Sequence, residues 1–165
     1  MGQKVLDVAV SVDALASTAT AGQLHVYAHC SATHGSAGAA GSVTLMVINT
    51  HPTSAAINIP TTTLCGSSVS RDLDSSNIVN MASVAPAPRA SRTEFQLTSA
   101  TGNGAANLVS RVVALNGTPL HADPASGTLP EMRGIKAECD GPIEAPPFSV
   151  TFVVFAESLL PACRD

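Results

Sequence analysis

The sequence predicts an all-β domain, an antiparallel β-sandwich of about seven to eight strands. Three observations carry this expectation. Short apolar runs recur along the chain. Gly, Pro, Asn and Ser punctuate them at fairly regular intervals. No amphipathic stretch long enough for three helical turns interrupts the series, and that pattern belongs to packed sheets rather than to alternating strands and helices.

Taken in order, the first run is KVLDVAV at 4–10, followed by QLHVYAHC at 23–30. SVTLMVIN at 42–49 is apolar on both faces, as a strand inside a sandwich would be. AAINIP at 55–60 follows a Thr-His-Pro turn. RTEFQLTS at 92–99 alternates, with Phe95 and Leu97 on one side and Glu94, Gln96 and Thr98 on the other. LVSRVVAL at 108–115 leads into Asn116-Gly117 and then TPLH. Asn-Gly is the residue pair that a type I′ hairpin turn favours, because both central positions need positive φ. FSVTFVVFA at 148–156 is the strongest strand, with Phe148, Val150, Phe152 and Val154 on one face. Two stretches break the rhythm. Residues 61–91 are rich in Ser, Ala and Pro, and 121–147 carries Pro124, Pro130, Pro142, Pro146 and Pro147. Both read as long irregular excursions from a single domain spanning 1–165.

Composition bounds the function classes. The 165 residues suit one domain. Charged residues are 12%, well under the usual share of about a quarter, and the net charge is −4. The eight Lys and Arg are scattered, so no basic stripe for nucleic acid forms. The N-terminal segment lacks the pattern of a signal peptide. The longest apolar run is far too short for a transmembrane segment. Four cysteines, Cys30, Cys65, Cys139 and Cys163, contain no Cys-x-x-Cys pair, so zinc and redox spacings are missing and two disulfides in any of three connectivities are open. Disulfides would place the chain in an oxidising compartment.

Candidate chemistry is sparse. His25, His29 and Cys30 lie close in sequence and could be read as metal ligands. In a strand, however, four residues span about 13 Å, so His25 and His29 cannot grip one ion, and Cys30 points to the opposite face. HGSAGAAGS at 34–42 lacks the Gly-Lys-Ser/Thr ending of a phosphate loop, and no Gly-x-Ser-x-Gly elbow is present. Glu94, Glu131, Glu138, Glu144 and Glu157 are not fixed as a pair across a cleft, so they read as surface carboxylates rather than a glycosidase device. Asn116-Gly117-Thr118 is a glycosylation sequon that coincides with the hairpin turn; Asn116 is a candidate glycan acceptor on passage through a secretory route. With no Trp and one Tyr, the chain has no aromatic platform to spare for sugar stacking. No cofactor and no metal are expected.

The segments GQKVL, QLHVYAHCS, SVTLMVINTH, INIP, RTEFQLTS, LVSRVVALNGTPL and APPFSVTFVVFAESLLPAC, in that order, resemble the C-terminal β-domain of the heparanase-like glycoside hydrolases, glycoside hydrolase family 79. RTEFQLTS is closest in character to the plant-type β-glucuronidase members. The resemblance implies a β-sandwich whose partner is a (β/α)8 catalytic barrel, with a glycan as the substrate of the parent enzyme and an extracellular, cell-wall or lysosomal-type location. In that family the barrel carries both catalytic glutamates, the acid following an asparagine. This sequence has no Asn-Glu dipeptide and no barrel-sized repeat, so no catalytic residue transfers, and the chain is expected to be inactive alone, as a fragment or barrel-less homologue. What transfers is a disulfide: the family's cysteine after the tyrosine-containing strand and its partner near the C-terminus match Cys30 and Cys163. The resemblance gives Cys65 and Cys139 no counterpart. It also implies that the domain, taken alone, leaves a sheet edge or an apolar face uncovered. The runner-up expectation is a free-standing sandwich that binds a glycan or a protein.

Overall fold

The computed structural model describes residues 5–6, 23–31, 41–59, 64–65, 90–101, 108–156, 158 and 160–163. Most of the 61–91 excursion, most of the glycine-rich 34–42 segment, and KVLDVAV beyond Val5 and Leu6 lie outside the described residues. The fold is all-β and sandwich-like. Among the described residues are ten strands: β1 (Val5–Leu6), β2 (Leu24–Cys30), β3 (Val43–Asn49), β4 (Ala55–Ile57), β5 (Ser91–Ser99), β6 (Val113–Leu115), β7 (Thr118–Pro119), β8 (Ile135–Glu138), β9 (Ile143–Ala145) and β10 (Ser149–Phe155). A 3₁₀ turn, Pro161–Cys163, follows them.

An eight-stranded antiparallel sheet runs β1-β2-β3-β10-β5-β6-β7. The second edge of β5 is shared. Its first half, Ser91–Glu94, pairs with β8, and its last residues, Leu97–Ser99, pair with β6. A two-stranded sheet, β4-β9, forms the other layer. Ile57, Ile143 and Ala145 from that layer join Val43, Leu45, Val47, Val153 and Phe155 from the large sheet in one buried cluster. The registers place Val43 opposite Phe155 and Leu45 opposite Val153, so these residues share the face that the small sheet covers.

The strong strand at 148–156 shows the expected alternation, but the covered side is Ser149, Thr151, Val153 and Phe155 rather than the side bearing Val150, Phe152 and Val154. Phe148 belongs to the preceding turn, with φ of 50°. The 121–147 excursion is less irregular than its prolines suggest, since it contains β8 and β9. Pro142 and Pro146 bracket β9, and three residues are too few to display a period. The run at 108–112 does not extend β6. There Ser110 Oγ accepts from the Val112 amide and exchanges a hydrogen bond with Thr101, a side-chain turn that competes with the ladder.

Two disulfides cross-link the chain. Cys30 is joined to Cys163 and Cys65 to Cys139. They close sequence separations of 133 and 74 residues. Each is worth about 4–5 kcal/mol in the chain-entropy model, and the nested loops make the two less than additive. Around the first, the C-terminal turn is stitched to the start of β3: Gly41 N–H donates to the Cys163 carbonyl (2.9 Å), Leu160 N–H to the Gly41 carbonyl (3.0 Å), and Ser158 Oγ to the same Gly41 carbonyl (2.7 Å).

Polar groups also bolt the interior. Asn49, fully buried at the end of β3, donates through Nδ2 to the carbonyls of Thr53, Ala145 and Pro146, and accepts from His51 N–H. Arg92 is only 3% exposed. Its guanidinium pairs with Glu94 at 2.7 Å and donates to the carbonyls of Cys139, Gly141 and Pro142. Gln96, next on the same face of β5, donates to the Glu144 carbonyl. From the polar side of RTEFQLTS, Arg92 thus grips the turn between β8 and β9, and Gln96 holds β9 itself.

Candidate interaction surface

The side chains that could have made a metal or catalytic site are dispersed. His25, Tyr27 and His29 alternate along the outer side of β2, away from the core. The rings of His25 and Tyr27 stack with centroids 6.5 Å apart, while His29 Nδ1 donates to the Cys30 carbonyl. Cys30 lies on the other side of the strand, in its bond to Cys163. Among the described residues no group of three His, Cys, Asp or Glu side chains is placed to hold a metal ion. Glu94 is committed to Arg92, and Glu131 to Arg133 at the surface. Glu157 lies outside the described residues. No described helix is long and apolar enough to cross a membrane.

Asn116 occupies the hairpin turn with φ of 50°, followed by Gly117 at 79°. Its backbone N–H donates to the Gln96 carbonyl, its Oδ1 accepts from Gln96 N–H (2.8 Å), and its Nδ2 donates to the Arg133 carbonyl (3.0 Å). The side chain therefore locks β5, the β6–β7 turn and the segment before β8 together.

What the surface offers is apolar. Across the large sheet, on the side away from the core, Tyr27, Met46, Phe152 and Phe95 stand directly opposite one another on β2, β3, β10 and β5. Ile48, Val150 and Leu97 form the next row. All but Tyr27, which is exposed, are half-buried. Where this side reaches β5, Gly134 lies so close that a Cβ on it would collide with Thr93 Cγ2 and the Phe95 ring. Beyond β5, six large apolar side chains are exposed: Leu108, Val109, Val113, Leu129, Met132 and Ile135. The registers set two of them on opposite sides of the sheet: Val113 pairs with Ser99 on the side of Phe95 and Leu97, and Ile135 pairs with Glu94 on the core side. Single exposed apolar residues are ordinary; the contiguous apolar rows on the outer side of the large sheet, with Tyr27 and Val113 exposed at either end, are what mark a candidate interaction surface.

The sequence signals of this surface were available but unreadable. Val113 and Ile135 sit in strands and would be assigned to a core by hydropathy alone; only the pairing of β6 and β8 at the margin of the sheet leaves them outside. No protein-family model and no curated protein matches the chain.

Proposed function

We propose that this chain is a non-catalytic β-sandwich domain of the heparanase-like, glycoside hydrolase family 79 type, and that it works by packing against a (β/α)8 catalytic barrel. The observation that carries the reading is the apolar outer side of the large sheet, Tyr27, Met46, Phe152 and Phe95 beside Ile48, Val150 and Leu97, with Val113 exposed at its margin, which has the character of a surface that a second body covers. The link from the end of the tyrosine-bearing strand to the C-terminal turn, Cys30 to Cys163, supports it, as do the two disulfides together, which are compatible with a secreted or extracellular protein. The parent reaction would be hydrolysis of β-glucuronidic bonds in a glycan, with retention, by two glutamates that this sequence does not supply.

The proposal is tested with the purified chain, disulfides intact. It should bind a hydrophobic dye in the folded state and leave an aryl β-glucuronide untouched. A folded monomer that binds no dye, or one that cleaves the glucuronide, would overturn it.

A second reading rests on a different observation. The stacked, exposed His25 and Tyr27 form a small ring platform on β2, of the kind a free-standing glycan-binding sandwich would use. Loss of oligosaccharide binding in Tyr27→Ala, with the barrel surface irrelevant, would favour that reading.

A further inference from the structure

We propose that Asn116-Gly117 is a deamidation site gated by the fold: the native turn holds the side-chain amide away from reaction, and once the turn opens and the amide reacts, the native contacts cannot be restored. The chemistry needs an Asn followed by a residue whose backbone nitrogen is freely approached. Gly117 has no side chain, and the space its Cβ would occupy is empty to 4 Å. In the reaction Gly117 N attacks Asn116 Cγ. A Cγ–N bond forms, the Cγ–Nδ2 bond breaks, and Nδ2 leaves as ammonia, taking up a proton while Gly117 N gives one to solvent. Water then opens the resulting succinimide at either carbonyl. Opening on one side yields an aspartate in the normal main chain; opening on the other routes the main chain through Cγ as an isoaspartyl linkage.

The folded turn opposes the first step. Cγ is held by two hydrogen bonds, Oδ1 from Gln96 N–H and Nδ2 to the Arg133 carbonyl, and both must break before the carboxamide can turn toward Gly117 N. Two such bonds together should slow the reaction roughly tenfold or more. The product does not fit the site. An aspartate places a carboxylate oxygen where Nδ2 donated, facing the Arg133 carbonyl, so two acceptors meet. An isoaspartyl linkage lengthens the main chain inside a two-residue turn whose flanking pairs are Leu115 with Thr118 and Ala114 with Pro119. Either product also erases the Asn-Gly-Thr sequon, so glycan attachment and deamidation exclude one another at this residue.

The full chain, with disulfides intact, is incubated in mildly alkaline buffer beside a synthetic peptide of residues 110–121, and the aspartyl and isoaspartyl products of Asn116 are followed by peptide mapping. The expected result is conversion in the folded chain roughly tenfold or more slower than in the peptide. Equal rates would overturn the gating, and this comparison requires no variant. The second half is read from Asn116→Asp, which should melt several degrees below the parent; an unchanged melting temperature would refute the claim that the product no longer fits.

Discussion

Arg92 gives the sharpest test of how this sandwich is held together. In Arg92→Met the long apolar stem is kept and the guanidinium is removed. Glu94, itself only 14% exposed, then loses its cation, and the carbonyls of Cys139, Gly141 and Pro142 lose the donor that satisfies them. Removing one member of a buried pair costs about 3–5 kcal/mol, because a desolvated charge is left without compensation. For a domain of this size that corresponds to a fall in melting temperature of roughly 10–15 °C. Arg92→Lys should recover only part of this, since one ammonium cannot reach a carboxylate and three carbonyls with the geometry of a planar fork. The double variant Arg92→Met with Glu94→Gln should be more stable than Arg92→Met alone, because the uncompensated carboxylate is gone. Thermal and urea unfolding of the oxidised proteins measure all three. If Arg92→Met or Arg92→Lys melts with the parent, the polar side of β5 is not a clamp on the β8–β9 turn and the reasoning fails.

Other outcomes follow from single contacts. Gly134→Val should destabilise the chain by about 1–3 kcal/mol in urea unfolding, since the new side chain must displace Thr93 and the Phe95 ring. Thr151→Val should be neutral or stabilising by up to about 1 kcal/mol, as Thr151 Oγ1 is buried with no hydrogen-bond partner among the described residues and its loss strands none of them. Asp123 has its carboxyl held below the usual aspartate range, first by the Ala125 backbone N–H and then by the Ser126 hydroxyl. Its folded value being depressed, the stabilisation it gives this turn is present above the unfolded aspartate value of about 3.9 and fades as pH falls through the lower folded value. A carboxyl titration by NMR should therefore show Asp123 protonating at lower pH than a free aspartate.

Much of the fold could be read from the sequence because its longest strands obey simple periodicities. β2, β3, β5 and β10 each carry seven or more residues, enough for alternation to show. The Asn116-Gly117 turn was legible for a different reason: few residue pairs tolerate positive φ twice in succession. β8 and β9 were not legible. They are four and three residues long among prolines, and Ile143 and Ala145 become core only because Ile57 and the large sheet lie against them. Arg92 and Glu94 were misleading in the opposite sense. An alternating strand with one polar side normally turns that side to water, and nothing local announces that a distant turn will supply three carbonyls to receive a guanidinium. The pairing of Cys65 with Cys139 is of the same kind, a contact across 74 residues with no local signature. The surface was hidden most thoroughly, because exposed and buried valines look alike until the sheet's margins are known.

If the apolar outer side of the large sheet is the seat of a catalytic barrel, the contact can be rebuilt from its two halves. The direct measurement is association of this chain with a heparanase-like (β/α)8 barrel expressed without its own sandwich, by size-exclusion chromatography with light scattering. A one-to-one complex is expected, and Tyr27→Asp with Val113→Asp should abolish it while the variant chain itself still melts cooperatively. Failure of the parent chain to bind, or binding that the two aspartates leave intact, would contradict the assignment of this surface.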